Sequence, residues 1–272
     1  MPVLEIGPHD GLYYEYTPAR NEHGVTFVFF NALTGDTASW EAQIAPSLRE
    51  VGHGTLAYNL RGQVNSPFSA DARLDAQLVV DDALKLLQQV RPPRPVLVGL
   101  SIGGLFAVQA WLKGTPAEGL VLINTLRKDG ARLRWIGDAL VRAVEVGGLE
   151  LFRDLFLPLL MNEDWLAAQR ENFLRPETTY IPLEPTSGHY KLLAEAGRTA
   201  DWDLPYEKVS LPTLVITGLQ DHVFLENTAV EELSARLPNV RRVDLPGAGH
   251  LVPAERPQQI VDLLVGFAKE VG

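Results

Sequence analysis

Residues Pro95–Trp111 read PVLVGLSIGGLFAVQAW, and this stretch decides the fold. Its first six residues are apolar or small, which is typical of a strand buried on both faces of a parallel sheet. The residues from Ile102 onward follow a helical pattern. Ser101 stands between the two segments, with Gly99 two residues before it and Gly103 two residues after it. The pattern therefore predicts a tight turn from strand to helix with a serine at its apex.

The two glycines of this G-x-S-x-G pattern have a steric explanation. A strained turn closes only where the neighbouring residues lack a Cβ atom. In the alternative interpretation the glycines merely let the helix pass close to the strand, with no chemical role. The strand-to-helix context favours the first interpretation, in which the turn raises the Ser101 hydroxyl into a site.

The same alternation of strands and helices extends along most of the chain. Helical segments, among them a long amphipathic one over residues 71–90, separate strand patterns. The strand patterns cover residues 25–31, 54–59, 95–100, 118–124, 211–218 and 240–247. Two short strands, joined by a turn at residues 9–11, come before them. Because buried strands that alternate with helices form βαβ units, we predict an α/β fold with a mostly parallel eight-stranded sheet flanked by helices.

The alternation stops between residues 125 and 210, where the pattern is helical and rich in aromatic residues. We therefore predict a core formed by residues 1–124 and 211–272, with a helical cap, residues 125–210, inserted after the sixth strand. Open α/β sheets bind ligands at the carboxyl ends of their strands. The cap is expected to cover that edge.

Composition excludes several classes of function. A net charge of −10 argues against a nucleic-acid surface, which needs basic patches. The absence of cysteine excludes disulfides, thiolate nucleophiles and cysteine-based metal sites. The sequence has no signal-peptide pattern and no apolar run of membrane-spanning length. We expect a cytoplasmic protein that acts on a small molecule as a monomer or homodimer, with neither nucleic acid nor membrane as a partner.

A serine hydroxyl needs a base, and the base needs a group that orients it. Asp221 follows the strand pattern at 211–218, and His250 lies in a glycine-rich loop after the next strand. With Ser101 they all follow carboxyl ends of predicted strands, so we predict a Ser101–His250–Asp221 triad. In the alternative, Asp221 only caps the following helix and His250 is structural. A metal pair of Asp221 and His222 is disfavoured because adjacent side chains point apart. No metal and no cofactor is predicted.

These motifs resemble the α/β-hydrolase superfamily over essentially the whole chain, and the order Ser, Asp, His is that of its triad. The resemblance rests on the stretches FVFFNALTGDTASW (27–40), NLRGQVNS (59–66), GLSIGG (99–104), TGLQDHV (217–223) and GAGHLVPAERP (247–257). Within the superfamily the chain resembles the branch of 3-oxoadipate enol-lactonase type with a helical cap. Most members carry His-Gly where this chain has Asn31-Ala32, and enol-lactonase relatives carry Asn-Ser there.

The resemblance implies two backbone donors for an oxyanion, the N–H groups of Ile102 and Leu33. Asn31 either holds the loop of Leu33 in shape, contacts substrate or is a simple turn residue. The loop at residues 59–66 lacks the aspartate and one glycine of the family pattern. Some relatives carry their triad acid at the end of the sixth strand, where this chain has Asn124; Asp221 is therefore the expected acid.

Together these features predict a cofactor-free serine hydrolase that cleaves a small carboxylic ester or lactone through an acyl-enzyme. Related folds use the same triad for carbon–carbon bond hydrolysis or perhydrolysis, and fold alone does not decide between them. A third hypothesis is a binding or signalling protein that has the hydrolase fold and uses the cap to sense a small ligand.

The stretch LRKDGARLRW, residues 126–135, carries four cations at positions 127, 128, 132 and 134. In a protein of net negative charge such a cluster predicts attraction of an anionic substrate. In the alternative interpretation, the cations only lie on the solvent-exposed outer face of the cap. Arg127, which is nearest to the strand end, and Trp135 are predicted to bind substrate. Enol-lactonases act on carboxylated substrates, so the resemblance implies the same preference.

Overall fold

The computed structural model describes residues 2–272, and within this range the strands form one eight-stranded sheet in the order β1-β2-β4-β3-β5-β6-β7-β8. The strands are β1 (Val3–Gly7), β2 (Asp10–Thr17), β3 (Thr26–Phe30), β4 (Gly54–Tyr58), β5 (Pro95–Leu100), β6 (Gly119–Ile123), β7 (Thr213–Gly218) and β8 (Val240–Leu245). Strands β3 to β8 are parallel, and β1 and β2 add an antiparallel edge. The predicted fold class is confirmed.

Helices cover both faces of the sheet. They are α1 (Ala38–Glu41), α2 (Ile44–Glu50), α3 (Ala76–Val90), α4 (Ile102–Leu112), α5 (Ala131–Leu160), α6 (Glu163–Gln169), α7 (Gly188–Lys191), α8 (Gly197–Thr199), α9 (Asn227–Ala235), α10 (Val252–Glu255) and α11 (Pro257–Val271). Every residue of β3, β4, β5, β6 and β7 is buried, which explains their continuous apolar sequences. One apolar core contains Phe106 on one face, and a second contains Trp40 and Phe267 on the other.

The helix predicted over residues 71–90 begins later, at Ala76. The side chain of Asp75 accepts a hydrogen bond of 2.9 Å from the backbone N–H of Leu78 and so forms the N-cap. Such a cap satisfies a donor that the first helical turn leaves without a partner. The aspartate therefore sets the start of α3, and residues 71–75 belong to the preceding loop.

The segment between β6 and β7, residues 125–210, is called the cap here. Its longest helix, α5, is broken at Gly147 and Gly148, and Gly148 has a φ of 69°. A Cβ atom on Gly148 would lie 2.1 Å from the carbonyl oxygen of Ile181, so the close approach of these two backbones requires glycine. The break divides α5 into a first arm, residues 131–146, and a second arm, residues 149–160.

The end of the second arm is hydrogen-bonded to the core. The backbone N–H of His250 donates to the carbonyl of Leu160 at 2.5 Å, and that of His222 donates to Leu159 at 2.9 Å. The N–H of Asn162 donates to the Glu255 carboxylate at 2.7 Å. These bonds join the cap directly to the loops that follow β7 and β8. Among residues 2–272, no helix combines the length and apolar character that crossing a membrane requires.

Candidate active site

Ser101 occupies the turn between β5 and α4 in a strained conformation, with φ 56° and ψ −127°. A positive φ is uncommon for a residue with a side chain, and such strain persists only where the surroundings impose it. Two backbone hydrogen bonds do so here. The N–H of Ser101 donates to Ile123 at 2.8 Å, and the N–H of Gly104 donates to the Ser101 carbonyl at 3.1 Å.

The flanking glycines allow close backbone approaches that any side chain would prevent. A Cβ atom on Gly99 would lie 2.3 Å from the Cα of Gly104, and one on Gly103 would lie 2.3 Å from the carbonyl oxygen of Phe30. The packing role and the role in the turn are therefore the same role, because α4 closes the turn by lying against β5 and β3.

Asp221 and His250 form a buried pair. Asp221 Oδ2 lies 2.6 Å from His250 Nδ1, and both side chains are buried. The other oxygen, Oδ1, accepts hydrogen bonds from the N–H groups of Val223 at 3.0 Å and Phe224 at 2.9 Å. The carboxylate thus organises the turn after β7 and contacts the imidazole at the same time.

The charged form of Asp221 is stabilised in spite of its burial. Desolvation acts to raise the pKa of the carboxyl group. The charge and hydrogen bond of His250, the N–H of Phe224 and the charge of Arg127 act in the opposite direction and prevail, so the pKa lies below its ordinary value. Asp221 is therefore an anion throughout the neutral range and can stabilise a positive charge on the imidazole.

The Ser101 hydroxyl is hydrogen-bonded to Arg127. Arg127 Nη2 donates to Ser101 Oγ at 3.1 Å and to the carbonyl of Asn124 at 2.7 Å. Within residues 2–272 the structure has no hydrogen bond between Ser101 Oγ and the His250 ring. The serine and the histidine nevertheless line the same cavity.

Arg127 is only 5% exposed and packs against two aromatic rings. Its guanidinium carbon lies 4.4 Å from the ring centroid of Phe224 and 4.8 Å from that of Trp202. Burial lowers the pKa of this guanidinium to about 10, and the nearby charge of Asp221 opposes the shift. No carboxylate oxygen of the described residues lies within 4.0 Å of its nitrogens. The arginine is thus a buried cation without an ion-pair partner among residues 2–272.

The loop after β3 is held by a polar network. Gln63 Nε2 donates to the carbonyls of Ala32 at 3.0 Å and Leu33 at 3.1 Å. Asn31 Nδ2 donates to the carbonyl of Tyr58 at 2.7 Å, and its Oδ1 accepts from the Trp40 indole at 2.7 Å. Both polar groups of the Asn31 amide are therefore engaged in holding the loop, and Asn31 does not line the cavity. Gln63 was missed in the sequence, although it lies in the loop that departs from the family pattern.

A cavity of about 460 Å³ lies between the carboxyl edge of the sheet and the cap. Ser101, His250, Arg127 and both residues predicted to supply oxyanion donors, Leu33 and Ile102, line it. The cap contributes a mainly apolar wall that includes Leu133, Leu140, Phe152, Leu157, Leu193 and Trp202. The geometry thus brings a serine, an imidazole that is paired with a buried carboxylate, and the buried cation Arg127 to one cavity.

The sequence pattern of the alpha/beta hydrolase fold family matches residues 25–257 of the chain. The chain belongs to this family. The family predicted from the motifs is therefore confirmed, and with it the general class of hydrolases.

Three similar proteins illustrate the range of the family. "Putative carbamate hydrolase RutD" from Variovorax paradoxus (strain S110) is 28% identical over 242 residues, covering 88% of this chain and 89% of that protein. The structure of MGS-M2, an alpha/beta hydrolase from a Medee basin deep-sea metagenome library, has a TM-score of 0.82 at 22% identity, covering 98% of this chain and 96% of its own. The enol-lactonase from Burkholderia xenovorans LB400 has a TM-score of 0.80 at 22% identity, covering 98% of this chain and 100% of its own. The two structural likenesses concern the fold.

In this hydrolase Asn124 takes a connecting position at the end of β6. Its Nδ2 donates to the carbonyls of Gly249 at 3.0 Å and His250 at 2.7 Å, and its Oδ1 accepts from the N–H of Gly218 at 2.8 Å. One amide thereby joins the ends of β6 and β7 to the loop of His250. The residue positions the histidine through its backbone and does not supply an acid.

The structure does not bring Trp135 into the cavity. Its side chain is 78% exposed, whereas Leu133, Gly137 and Leu140 of the same helix line the cavity wall. Residues spaced three or four apart share a helix face, and Trp135 falls between them on another face. Its prediction as a substrate-binding residue is therefore corrected by its place on the helix.

The four cations of residues 127–134 are also separated. Lys128 pairs with Glu232 at the surface, Arg132 is exposed, and the Arg134 side chain lines the cavity but is largely exposed. Of the four, Arg127 is the one that is buried. Within the described part of the chain, residues 2–272, no group of three or more histidine, aspartate or glutamate side chains has an arrangement that could hold a metal ion.

Proposed function

We propose that the protein is a cofactor-free serine hydrolase that cleaves a small carboxylic ester or lactone. The observation that carries the proposal is the 2.6 Å contact between Asp221 and His250, which places an oriented imidazole in the same cavity as Ser101 on its strained turn. A nucleophile, a base and a group that orients the base are the three parts that acyl transfer by serine requires. The similarity to an enol-lactonase and to a protein named as a carbamate hydrolase supports the same class of chemistry.

In the proposed mechanism Ser101 Oγ attacks the carbonyl carbon while His250 Nε2 takes the hydroxyl proton. Asp221 accepts the Nδ1–H hydrogen bond, which fixes the tautomer and stabilises the imidazolium. The tetrahedral oxyanion is stabilised by the N–H groups of Leu33 and Ile102. When the carbon–oxygen bond of the ester breaks, the imidazolium returns the proton to the leaving oxygen.

The second half of the reaction repeats the same steps with water. Water attacks the acyl-enzyme and gives a proton to His250, and that proton passes to Ser101 Oγ as the carboxylic acid leaves. Ser101 and His250 are buried beside the apolar wall of the cap, and such low-dielectric surroundings strengthen these electrostatic contacts.

The proposal is tested with the Ser101→Ala variant. We expect it to lose turnover of p-nitrophenyl acetate and covalent labelling by a fluorophosphonate, while its circular dichroism spectrum stays unchanged. Only the catalysis that binding and the oxyanion donors supply should remain. Activity of the variant equal to that of the wild type would overturn the serine mechanism.

The bond that is cleaved is tested with a panel of esters, lactones and vinylogous diketones, whose products are identified by mass spectrometry. We expect turnover of the esters or lactones and none of the diketones. Cleavage of a carbon–carbon bond alone would keep the triad but replace the substrate class. A lasting covalent adduct without turnover would favour the ligand-sensing hypothesis.

A further inference from the structure

Arg127 carries a charge that the fold itself leaves unpaired. A fully buried charged side chain is costly unless a counter-ion offsets its desolvation. The Asp221 carboxylate acts on Arg127 only over a longer distance than an ion pair, and its two oxygens are engaged by His250 and by backbone N–H groups. A cation retained in such surroundings indicates a counter-ion that comes with a ligand.

The hydrogen-bonding capacity of the guanidinium is only partly used. A guanidinium has five N–H donors in one plane. Within the described residues Nη2 donates to Ser101 Oγ and Asn124, and Nε and Nη1 have no partner. Three N–H donors therefore remain for an acceptor in the cavity that Arg127 lines. A carboxylate accepts two parallel hydrogen bonds only along an edge of the guanidinium that includes Nη2. Bidentate binding therefore combines one free donor with an Nη2 donor and displaces an acceptor that Nη2 now holds.

Two aromatic rings hold the guanidinium where it is. Phe224 and Trp202 lie 4.4 Å and 4.8 Å from its carbon, and such contacts stabilise a cation without neutralising it. Phe224 also lies next to the catalytic pair, with its ring centroid 4.9 Å from that of His250. The position of the cation is thus fixed relative to the proposed nucleophile and to its base.

The contact between Arg127 and Ser101 opposes attack. A hydroxyl oxygen that accepts a hydrogen bond from a guanidinium has one lone pair engaged and is a weaker nucleophile. In this arrangement the hydroxyl is bonded to Arg127 and is not bonded to His250. Attack requires Ser101 Oγ to donate its hydrogen to His250 and to free the lone pair that Arg127 engages.

We propose that Arg127 is a specificity-determining residue that restrains the Ser101 hydroxyl until a carboxylate of the substrate itself engages the guanidinium. The inference rests on the proposed serine hydrolase function and deepens it. The favoured substrates are esters or lactones with a free carboxylate a few bonds from the scissile carbonyl, because Arg127 Nη2 is only 3.1 Å from the attacking oxygen. A neutral ester of the same shape leaves the restraint in place and leaves the cation without a partner.

The test compares a carboxylated ester with its neutral analogue. The pair is mono-p-nitrophenyl succinate and its methyl ester, assayed with the wild type, Arg127→Met, Arg127→Lys and a control, Arg142→Met. Arg142 is an exposed arginine of α5 that does not line the cavity. The rate of labelling by a neutral fluorophosphonate reports the reactivity of Ser101 separately from substrate binding.

We expect Arg127→Met to lower kcat/KM for the carboxylated ester about 10- to 100-fold, as for the loss of hydrogen bonds to a charged group. The same variant should label about two- to tenfold faster than the wild type, because a hydrogen bond that restrains Ser101 is gone. Arg127→Lys should keep part of the preference for the carboxylated ester. Arg142→Met should match the wild type in kcat/KM for both esters and in the rate of labelling. Circular dichroism of each variant verifies its fold.

A second experiment adds a free carboxylate to the solution. Acetate at constant ionic strength should accelerate fluorophosphonate labelling of the wild type and have no effect on Arg127→Met, because the anion replaces Ser101 on the guanidinium. Equal losses on both esters, or a labelling rate that Arg127→Met does not raise, would overturn the inference. If neither labelling nor turnover depends on Ser101, the proposed function itself fails, and the Ser101→Ala variant distinguishes that result.

Discussion

Asp221 and Arg127 are both charged, buried and close to His250 or Ser101, but their surroundings differ. The Asp221 carboxylate has an imidazole at 2.6 Å and two backbone N–H groups, so each of its oxygens has a partner inside the chain. The Arg127 guanidinium has two aromatic faces and two neutral oxygen acceptors. The partners of the carboxylate lie inside the chain, whereas the counter-ion that we propose for the guanidinium belongs to a ligand.

The largest expected effect comes from changing Asp221, the charge whose partners lie inside the chain. Asp221→Asn should lower kcat for p-nitrophenyl acetate by on the order of 10³- to 10⁴-fold, because the amide favours the wrong imidazole tautomer and no longer stabilises the imidazolium. Steady-state kinetics at neutral pH measure the loss. Asp262→Asn, which changes an exposed aspartate of α11, is the matched control and should keep full activity. A loss below tenfold in Asp221→Asn would contradict the proposed role.

A smaller effect concerns the free energy of unfolding, which the buried and unpaired charge of Arg127 is expected to lower. Arg127→Met should raise the free energy of unfolding by about 1 kcal/mol, since a buried charge without a counter-ion is replaced by an apolar side chain of similar length. For a chain of this size the melting temperature should rise by about 2–4 °C. Thermal denaturation measures the change, with Arg142→Met as the unshifted control. A lowered melting temperature would mean that Arg127 is a structural link between Ser101 and Asn124.

The smallest effect sharpens the comparison through pH. The pKa of Asp221 is lowered in the folded chain, so its carboxylate contributes stability above the unfolded value of 3.8, and this contribution is lost as the pH falls through the lowered folded value. The difference in unfolding free energy between the wild type and Asp221→Asn should shrink as the pH falls below 3.8. Urea titrations across the acid range measure it. A difference that grows on acidification would show the opposite sign of the shift.

The features that the sequence predicts well depend on local pattern. Continuous apolar runs such as residues 95–100 indicate buried parallel strands because they are short, rich in valine and leucine, and bounded by proline and glycine-rich turns. The glycines beside Ser101 are equally local, since their neighbours lie within five residues or on the adjoining strand β3. These features fix the sheet and the turn before any distant contact is known.

The features that the sequence does not predict arise from contacts between distant segments. Arg127, Trp202 and Phe224 are separated by at least 22 positions, and they meet only because the cap folds back over the sheet edge. Trp135 shows a second limit of prediction from sequence. Each helical position turns a side chain by about 100°, so a shift of one position decides whether the side chain faces the cavity or the solvent. The role of Gln63 shows a third, since a departure from a family pattern does not say what the new side chain will bind.

The break at Gly147 and Gly148 divides the cap into two parts with different freedom to evolve. The second arm ends in hydrogen bonds to the backbones of His222 and His250, so changes in its position disturb the loops that carry these residues. The first arm carries Leu133 and Leu140 of the cavity wall, and its hydrogen bonds outside its own helix go to other cap residues such as Leu183, Tyr190 and Arg198. Mutations in residues 131–146 can therefore change the shape of the cavity wall while Ser101, Asp221 and His250 keep their places.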